Sequence, residues 1–269
     1  MEKPSGKKWN KYLIAGLIMT GLALLLGILG FFWTPYSITA MSASEKFAAP
    51  SLRHIFGTDN FGRDIFSRVM KGLGTTVVIS SLVVLFSGAI GILLGALTGY
   101  FGGIVDEVVM RITDAVNGFP SILLALVLIS LLGNGRQNVI LALGIVFVPS
   151  YVRIVRSEFI RLRDADYIKR ARLMGVRRLR ILFVHILPNI FSVFWVSVMI
   201  GFNNAILAES GMSYLGIGVQ PPDASLGKML SDAQGYLQSA PWYALAPGLT
   251  IVWVVLGFSL FSEGIRRRS

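Results

Sequence analysis

The sequence predicts an all-α, polytopic membrane protein of six transmembrane helices with both termini on the inner side. Three observations carry that reading. Hydrophobic residues make up 54% of the 269 positions and charged residues only 14%, where soluble chains carry about 25% charged. Charge-free runs long enough to cross a bilayer recur along the chain, and mean hydropathy is +0.68. Lys and Arg gather at the ends of those runs. The net charge of +11 therefore reads as topology and not as nucleic-acid binding, which sets basic residues and stacking aromatics along one face of a soluble fold. With no Cys in the chain, disulfides, thiolate metal sites and Cys nucleophiles are excluded.

Residues 1–11 form a polar, basic N-terminus (Lys3, Lys7, Lys8, Lys11) expected in the cytoplasm, and residues 12–269 form the transmembrane domain. Tyr12–Trp33 is free of charge for 22 positions, which at about 1.5 Å per residue cover a hydrocarbon core of about 30 Å. A secretory signal has an apolar region of about 7–15 residues and a small-residue cleavage site. This run is longer and ends in the interfacial group Phe31-Phe32-Trp33, so a retained first helix is expected.

An outer loop over residues 34–71 is punctuated by Pro35, Pro50, Gly57 and Gly62, with a short helix expected from Arg63 to Lys71. Gly72–Val105 is the second span. Its Gly91, Gly95, Gly99 and Gly103 recur every fourth residue, leaving one helix face nearly bare backbone, a face that in lipid packs against another helix. Asp106, Glu107, Arg111 and Asp114 mark an inner turn. The third span, from Ala115 to Leu132, should bend or break at Pro120, which lacks a backbone donor.

Gln137–Val152 is a fourth run of only 16 residues, which must borrow length by snorkelling of Arg136 and Arg153. Ile181–Ala208 is the fifth span, residues 209–240 a second outer loop, and the sixth span lies within Ala233–Ser262 before Arg266, Arg267 and Arg268. With the N-terminus inside, inner segments hold 18 of the 25 Lys and Arg and outer segments 7, as the positive-inside rule requires.

Between the fourth and fifth spans lies a basic island, Arg153–Arg180, with ten Lys/Arg and three Asp/Glu. Asp164 and Asp166 are suited to an N-cap and a first helical turn. Tyr167, Ile168, Ala171 and Met174 then form one apolar stripe. Gly175 is a stop, following Arg170 and Arg172 at the negative end of the dipole. A second helical segment, Arg177–Leu187, leads to Pro188. A loop that only carries charge has no use for caps, a stripe and a stop, so this helix is expected to meet a protein partner from the cytoplasm.

These residues resemble a known pattern. DYIKRARLMG followed by HILPN (Ala171, Gly175, Leu187, Pro188) is similar to the EAA-type loop of ABC-importer permeases, with Lys169 and Arg170 standing where Glu and Ala are usual. GTDNFGRDIFSR (Gly57–Arg68), DAVNGFPSILLA (Asp114–Ala125), ILAESGMSYLGIGVQPP (Ile206–Pro222) and Leu226-Gly227 resemble the dipeptide, oligopeptide and nickel permease family, and the Gly57 signature its C-type member.

The resemblance implies a type I importer permease fold with a cytoplasmic coupling loop over residues 153–187. Implied partners are a second, homologous permease subunit, two ATPase subunits that carry ATP and Mg, an extracytoplasmic substrate-binding protein and the lipid bilayer. The implied location is the inner or plasma membrane of a bacterium or archaeon. The chain itself would bind no cofactor or metal. The implied cargo is a peptide, with nickel or a metal chelate as the alternative.

Asp164, Asp166, Tyr167, Ile168, Ala171, Met174, Gly175, Leu187 and Pro188 would dock the ATPase. Asp59, Arg63 and Asp64 either meet the binding protein or cap and pair their own turn. Glu209, beside Asn203 and Asn204, either lines the outer mouth or hydrogen-bonds the 211–218 loop.

Other classes find less support. The chain has no phosphate-cradling GxxxxGK[ST] loop, no HExxH and no GxSxG elbow, so ATP hydrolysis, zinc chemistry and serine hydrolysis lack their motifs. His185 is expected to make an interfacial hydrogen bond. An ion-coupled secondary transporter would show paired ionisable groups at mid-span and internal repeats, neither of which is found.

Overall fold

The computed structural model describes residues 10–177 and 180–267. Lys3, Lys7, Lys8, Arg178 and Arg268, counted above in the charge bias, lie outside the described residues. The helices are α1 (Lys11–Phe32), α2 (Ile65–Phe101), α3 (Gly103–Asn117), α4 (Ser121–Leu132), α5 (Arg136–Arg163), α6 (Asp166–Leu173), α7 (Leu187–Tyr214), α8 (Leu226–Ala233) and α9 (Pro241–Arg266). Five stretches, α1, α2, α5, the Val193–Tyr214 part of α7, and α9, are each long and apolar enough to cross a bilayer. The count of six is reached by taking α3 and α4 as one broken span, bent by 91°.

Four boundaries differ from the sequence reading, the first being that α7 runs on to Tyr214, past the expected end of the fifth span at Ala208 and into the expected outer loop. The short outer helix and the second span are one helix, α2, of 37 residues. Asp106, Glu107, Arg111 and Asp114 sit on helix α3 and not in a turn. The fourth span is not short: α5 continues for 28 residues to Arg163, with Pro149 inside it. The first third of the basic island is thus the end of a spanning helix. Arg156 explains the extension, since its Nη2 donates to Asp106 Oδ2 at 2.6 Å, while Arg153 Nη2 donates to Asp114 Oδ1 at 2.6 Å. Carboxylates from α3 pair the cations that made this stretch look like a loop. The break at Pro120 falls where the missing donor requires it, between α3 and α4.

The residues form two compact units. The first comprises Met1–Ser80, Gly133–Val139 and Asn203–Ser269, and the second Ser81–Leu132 and Ile140–Phe202. In the first unit α1 buries Leu13, Gly16, Thr20, Ala23, Gly27 and Gly30, a stripe of mostly small side chains. A Cβ on Gly16 would fall 2.6 Å from Phe261 Cα on α9 and nearer still to its backbone nitrogen, and one on Gly30 2.5 Å from the Met70 backbone on α2. Backbone meets backbone on both sides of α1, the packing that membrane helices use where hydrophobic burial gives no preference. In the second unit α5 lies against α2 by the same device. A Cβ on Gly95 would come within 2.7 Å of Val155 Cβ, and one on Gly99 within 2.5 Å of Phe159 Cβ. Gly91 closes on Tyr151. Gly103 is not part of this face, because it opens α3 beyond the α2 break at a φ of +58° with nothing near it.

Candidate functional site

The eight residues of α6 begin one residue later than the caps suggested. Ala165, in an extended conformation, is the N-cap and makes no side-chain cap bond. Asp164 is no cap: it is exposed, and its carboxylate lies 3.7 Å from Arg163 Nε. Asp166 opens the helix, and Arg170 and Arg172 close it, charges placed to suit the dipole. The C-terminus is a full Schellman motif, with Gly175 N–H donating to Arg172 O at 3.0 Å and Val176 N–H to Ala171 O at 3.1 Å. Gly175 sits at φ +75°, a conformation that costs other residues about 1–2 kcal/mol.

The apolar stripe is split. Ile168 is fully buried, and α6 packs on the residues 181–186 that follow the loop. Tyr167, Leu173 and Met174 face outward at 44%, 88% and 81% exposure. Leu173 escaped the sequence reading because it lies one position off the stripe, and its signal was simply a large aliphatic residue in the last turn. The exposed edge of α6 is therefore Tyr167, Leu173 and Met174 among basic side chains, while Ile168 holds the helix down and Ala171 is half-buried.

A wide π turn, Ile181–Ile186, joins the loop to α7, and Leu187 N–H donates back to Leu182 O. Pro188 follows at once. Its ring has no donor and crowds the carbonyl four residues back, and a π turn is where a helix absorbs such a misfit. His185 contributes its backbone carbonyl to Asn189 Nδ2 at 2.6 Å. Beside α6 a cavity of about 450 Å³ is lined by Tyr100, Phe101, Arg172, Val176 and Ile181, with the Arg172 guanidinium 5.8 Å above the Tyr100 ring.

The 57–68 turn is a closed polar cluster. Asp59 is fully buried, and its Oδ1 accepts from Phe61 N–H and Arg63 N–H at 2.8 and 2.9 Å, while Oδ2 accepts from Arg63 Nε at 2.6 Å. Asp64 caps α2, accepting from Ser67 N–H at 2.7 Å and Ser67 Oγ at 2.6 Å. Its other oxygen lies 2.9 Å from His54 Nδ1. Arg68 Nη1 donates to Ile38 O at 3.0 Å. Farther along the chain, Asn203 Nδ2 donates to Ser259 Oγ on α9 at 2.9 Å, and Asn204 is exposed. Glu209 is fully buried. Its Oε1 accepts from Ser213 Oγ at 2.7 Å, and Ser213 Oγ accepts from Val219 N–H at 3.1 Å. Among the described residues no three His, Cys, Asp or Glu side chains gather as a metal site.

The family described as "Binding-protein-dependent transport system inner membrane component" matches residues 91–269. The chain belongs to this family. As an inner membrane component with several bilayer-length helices, it is a multi-pass protein of the bacterial inner membrane. A dipeptide transport system permease protein, DppC, of Alkalihalophilus pseudofirmus is 40% identical over 259 residues, covering 96% of this chain and 85% of the relative. DppC of Haemophilus influenzae is 36% identical over 265 residues, with 96% and 90% covered. A glutathione transport system permease protein, GsiD, of Pectobacterium atrosepticum is 36% identical over 273 residues, with 99% and 90% covered. The family is one of transport components.

Within this inner membrane component, the two groups for which an outer contact is one of two readings both make local bonds. Asp59 and Asp64 are buried and their oxygens are taken by their own turn, with Arg63 held against Asp59. Glu209 is buried. Its carboxylate accepts from Ser213 one turn on in α7, and Ser213 in turn accepts from Val219 N–H in the segment that follows the helix.

Proposed function

We propose that this inner membrane component is one of two homologous permease subunits of an ATP-driven importer and forms half of a path for peptides. The peptide reading rests on the relatives, whose printed names specify dipeptides and glutathione; nickel and metal chelates find no counterpart among those three names. An extracytoplasmic binding protein delivers the cargo, and two separate ATPase subunits bind and hydrolyse ATP with Mg. The N- and C-termini face the cytoplasm, with residues 153–187 as the coupling loop and residues 34–71 and 209–240 outside. The basic bias of the inner segments supports this sidedness.

The observation that carries the mechanism is the exposed edge of α6. A helix of eight residues ended by a Schellman motif follows the charged end of one spanning helix and precedes another. It offers Tyr167, Leu173 and Met174 outward while Ile168 fastens it inward. Such a helix transmits force, because it cannot bend away from a partner that grips it. An ATPase subunit seated on this edge passes its closure through Ile168 to the Ile181–Ile186 turn and to α7, and through α5 to the Gly91, Gly95 and Gly99 contact with α2. Basic residues around the edge steer an acidic rim of the ATPase into place.

The test is assembly and coupling. Ala171→Asp and Gly175→Asp, introduced singly, should leave the chain in the membrane yet reduce co-purification of the ATPase subunits and binding-protein-stimulated ATP hydrolysis at least tenfold, about 1.4 kcal/mol or more, because they disturb the helix and the stop that present Tyr167, Leu173 and Met174. Unchanged coupling in both variants, or peptide transport by the chain without ATPase subunits, rejects the proposal.

A further inference from the structure

We propose that Glu209 and the hydroxyls around it form a binding site for a small monovalent cation of the sodium class. Glu209 lies on α7 with no exposure to solvent. One carboxylate oxygen is held by Ser213, but Oε2 has no hydrogen-bond partner. The hydroxyls of Thr76 on α2, Ser210 on α7 and Ser225, the N-cap of α8, face the same carboxylate. Of these, Thr76 Oγ1 and Ser210 Oγ are themselves buried without a hydrogen bond of good geometry, as is Ser80 Oγ one turn farther along α2. Thr76, Ser80, Ser210 and Ser225 are 1%, 0%, 6% and 0% exposed. No Lys, Arg or His among the described residues pairs with the carboxylate.

These hydroxyls depart from the habit of the rest of the chain. A Ser or Thr inside a helix normally satisfies itself on the carbonyl four residues back, and here Thr20, Thr75, Ser87, Thr98, Thr113 and Thr250 all do so. Thr75 makes that bond at 3.1 Å, whereas its neighbour Thr76 does not. Thr76 Oγ1 and Ser210 Oγ make no such bond on their own helices and lie about the Glu209 carboxylate, beside the Ser225 hydroxyl that caps α8 through Lys228 N–H.

A carboxylate taken out of water without a counter-charge is strongly disfavoured. The donor set decides what neutralises it. One carboxylate and several hydroxyl oxygens are hard ligands suited to an alkali or alkaline-earth ion and offer nothing to a soft metal. A single positive charge leaves the site neutral, while a divalent ion would leave an uncompensated charge among the helices. A proton on Oε2 would also neutralise the charge, donating to one hydroxyl oxygen, whereas an ion draws on several hydroxyl oxygens at once; the response to pH at fixed sodium separates the two. A bound ion would tie α2, α7 and the α8 N-cap to one point, with the 214–219 loop fastened to it through Ser213. The site would therefore set the rigidity of this part of the subunit.

The experiment is thermal unfolding of the assembled transporter in detergent, in sodium chloride and in choline chloride of equal ionic strength at fixed pH, repeated at several pH values. Sodium should raise the unfolding temperature saturably, Glu209→Gln should abolish the response, and Thr76→Val or Ser210→Ala should each raise the half-saturating sodium concentration about tenfold, as for loss of one ligand to a charged group. A wild type that melts identically in both salts overturns the site, and one that ignores sodium but follows pH assigns a proton to Glu209 instead. Retention of the full sodium response by Glu209→Gln also overturns it. Should that variant fail to assemble, an unchanged half-saturation in both hydroxyl variants overturns the proposal equally.

Discussion

The α6 helix and the 57–68 turn are both dense in charge, both include a left-handed glycine at a chain reversal (Gly175 after α6, Gly57 and Gly62 in the turn), and both resemble family signatures. They use their residues in opposite ways. The outer turn spends its charges inward: Asp59, Arg63, Asp64 and His54 satisfy one another and the surrounding backbone. The inner helix spends its charges outward and shows solvent three large apolar side chains, Tyr167, Leu173 and Met174. A contact surface is recognised by what is left unpartnered at the surface: the 57–68 turn exposes one large apolar side chain, Phe61, and the α6 segment exposes three. The outer turn is a brace for the start of α2.

The comparison can be broken from either side. The largest effect is expected at Asp64. Asp64→Ala removes the α2 cap and leaves His54 and Ser67 without their buried partner, a loss of about 3–5 kcal/mol, read as a much lower yield of assembled transporter and a lower unfolding temperature. Near-normal assembly would make the turn a contact surface after all. Next in size is the glycine face of α2. Gly95→Val places methyl groups against Val155 and the Val152 carbonyl and should destabilise by about 1–3 kcal/mol, while Gly103→Ala, outside that face, should act only through local backbone strain. Thermal unfolding of the two variants side by side separates them.

Smaller still are the stability effects at the α6 edge. Leu173→Asp should change stability by no more than about 0.5 kcal/mol and yet abolish binding-protein-stimulated ATP hydrolysis. Stability and coupling should part company at this position and move together at Asp64. Smallest of all, Asp164→Asn should be silent in both assays, because Ala165 and not Asp164 is the N-cap, whereas Asp166→Asn should cost about 0.3–1 kcal/mol through the helix dipole.

Features governed by neighbours in sequence were legible before the structure. Gly175 ends its helix through a left-handed residue and two backbone bonds that span six residues, the break at Pro120 follows from a missing donor, and the four-residue glycine spacing at 91, 95 and 99 exposes backbone whatever helix comes to cover it. Features governed by distant residues were not. Arg156 reads as a loop cation until Asp106, fifty residues away in sequence, is seen to pair with it and let α5 run on. The inward turn of Ile168 and the outward turn of Met174, both on one predicted stripe, depend on the Ile181–Ile186 turn that covers only part of α6. Glu209 was legible as a charged group needing an explanation, but the hydroxyls of Thr76 and Ser225 that face it come from two other helices and share no local pattern.

The absence of any Cys makes a direct test of the α6 surface clean. Single Met174→Cys and Leu173→Cys substitutions, with Phe61→Cys at an exposed position of the outer turn as the control, can each be challenged with a short bifunctional cross-linker in the assembled transporter. The α6 positions should join to an ATPase subunit, with a yield that changes when ATP is bound, and the position in the outer turn should join to none. Absence of an ATPase adduct at both α6 positions, with the assembly shown intact, would contradict the assignment of α6 as the coupling surface.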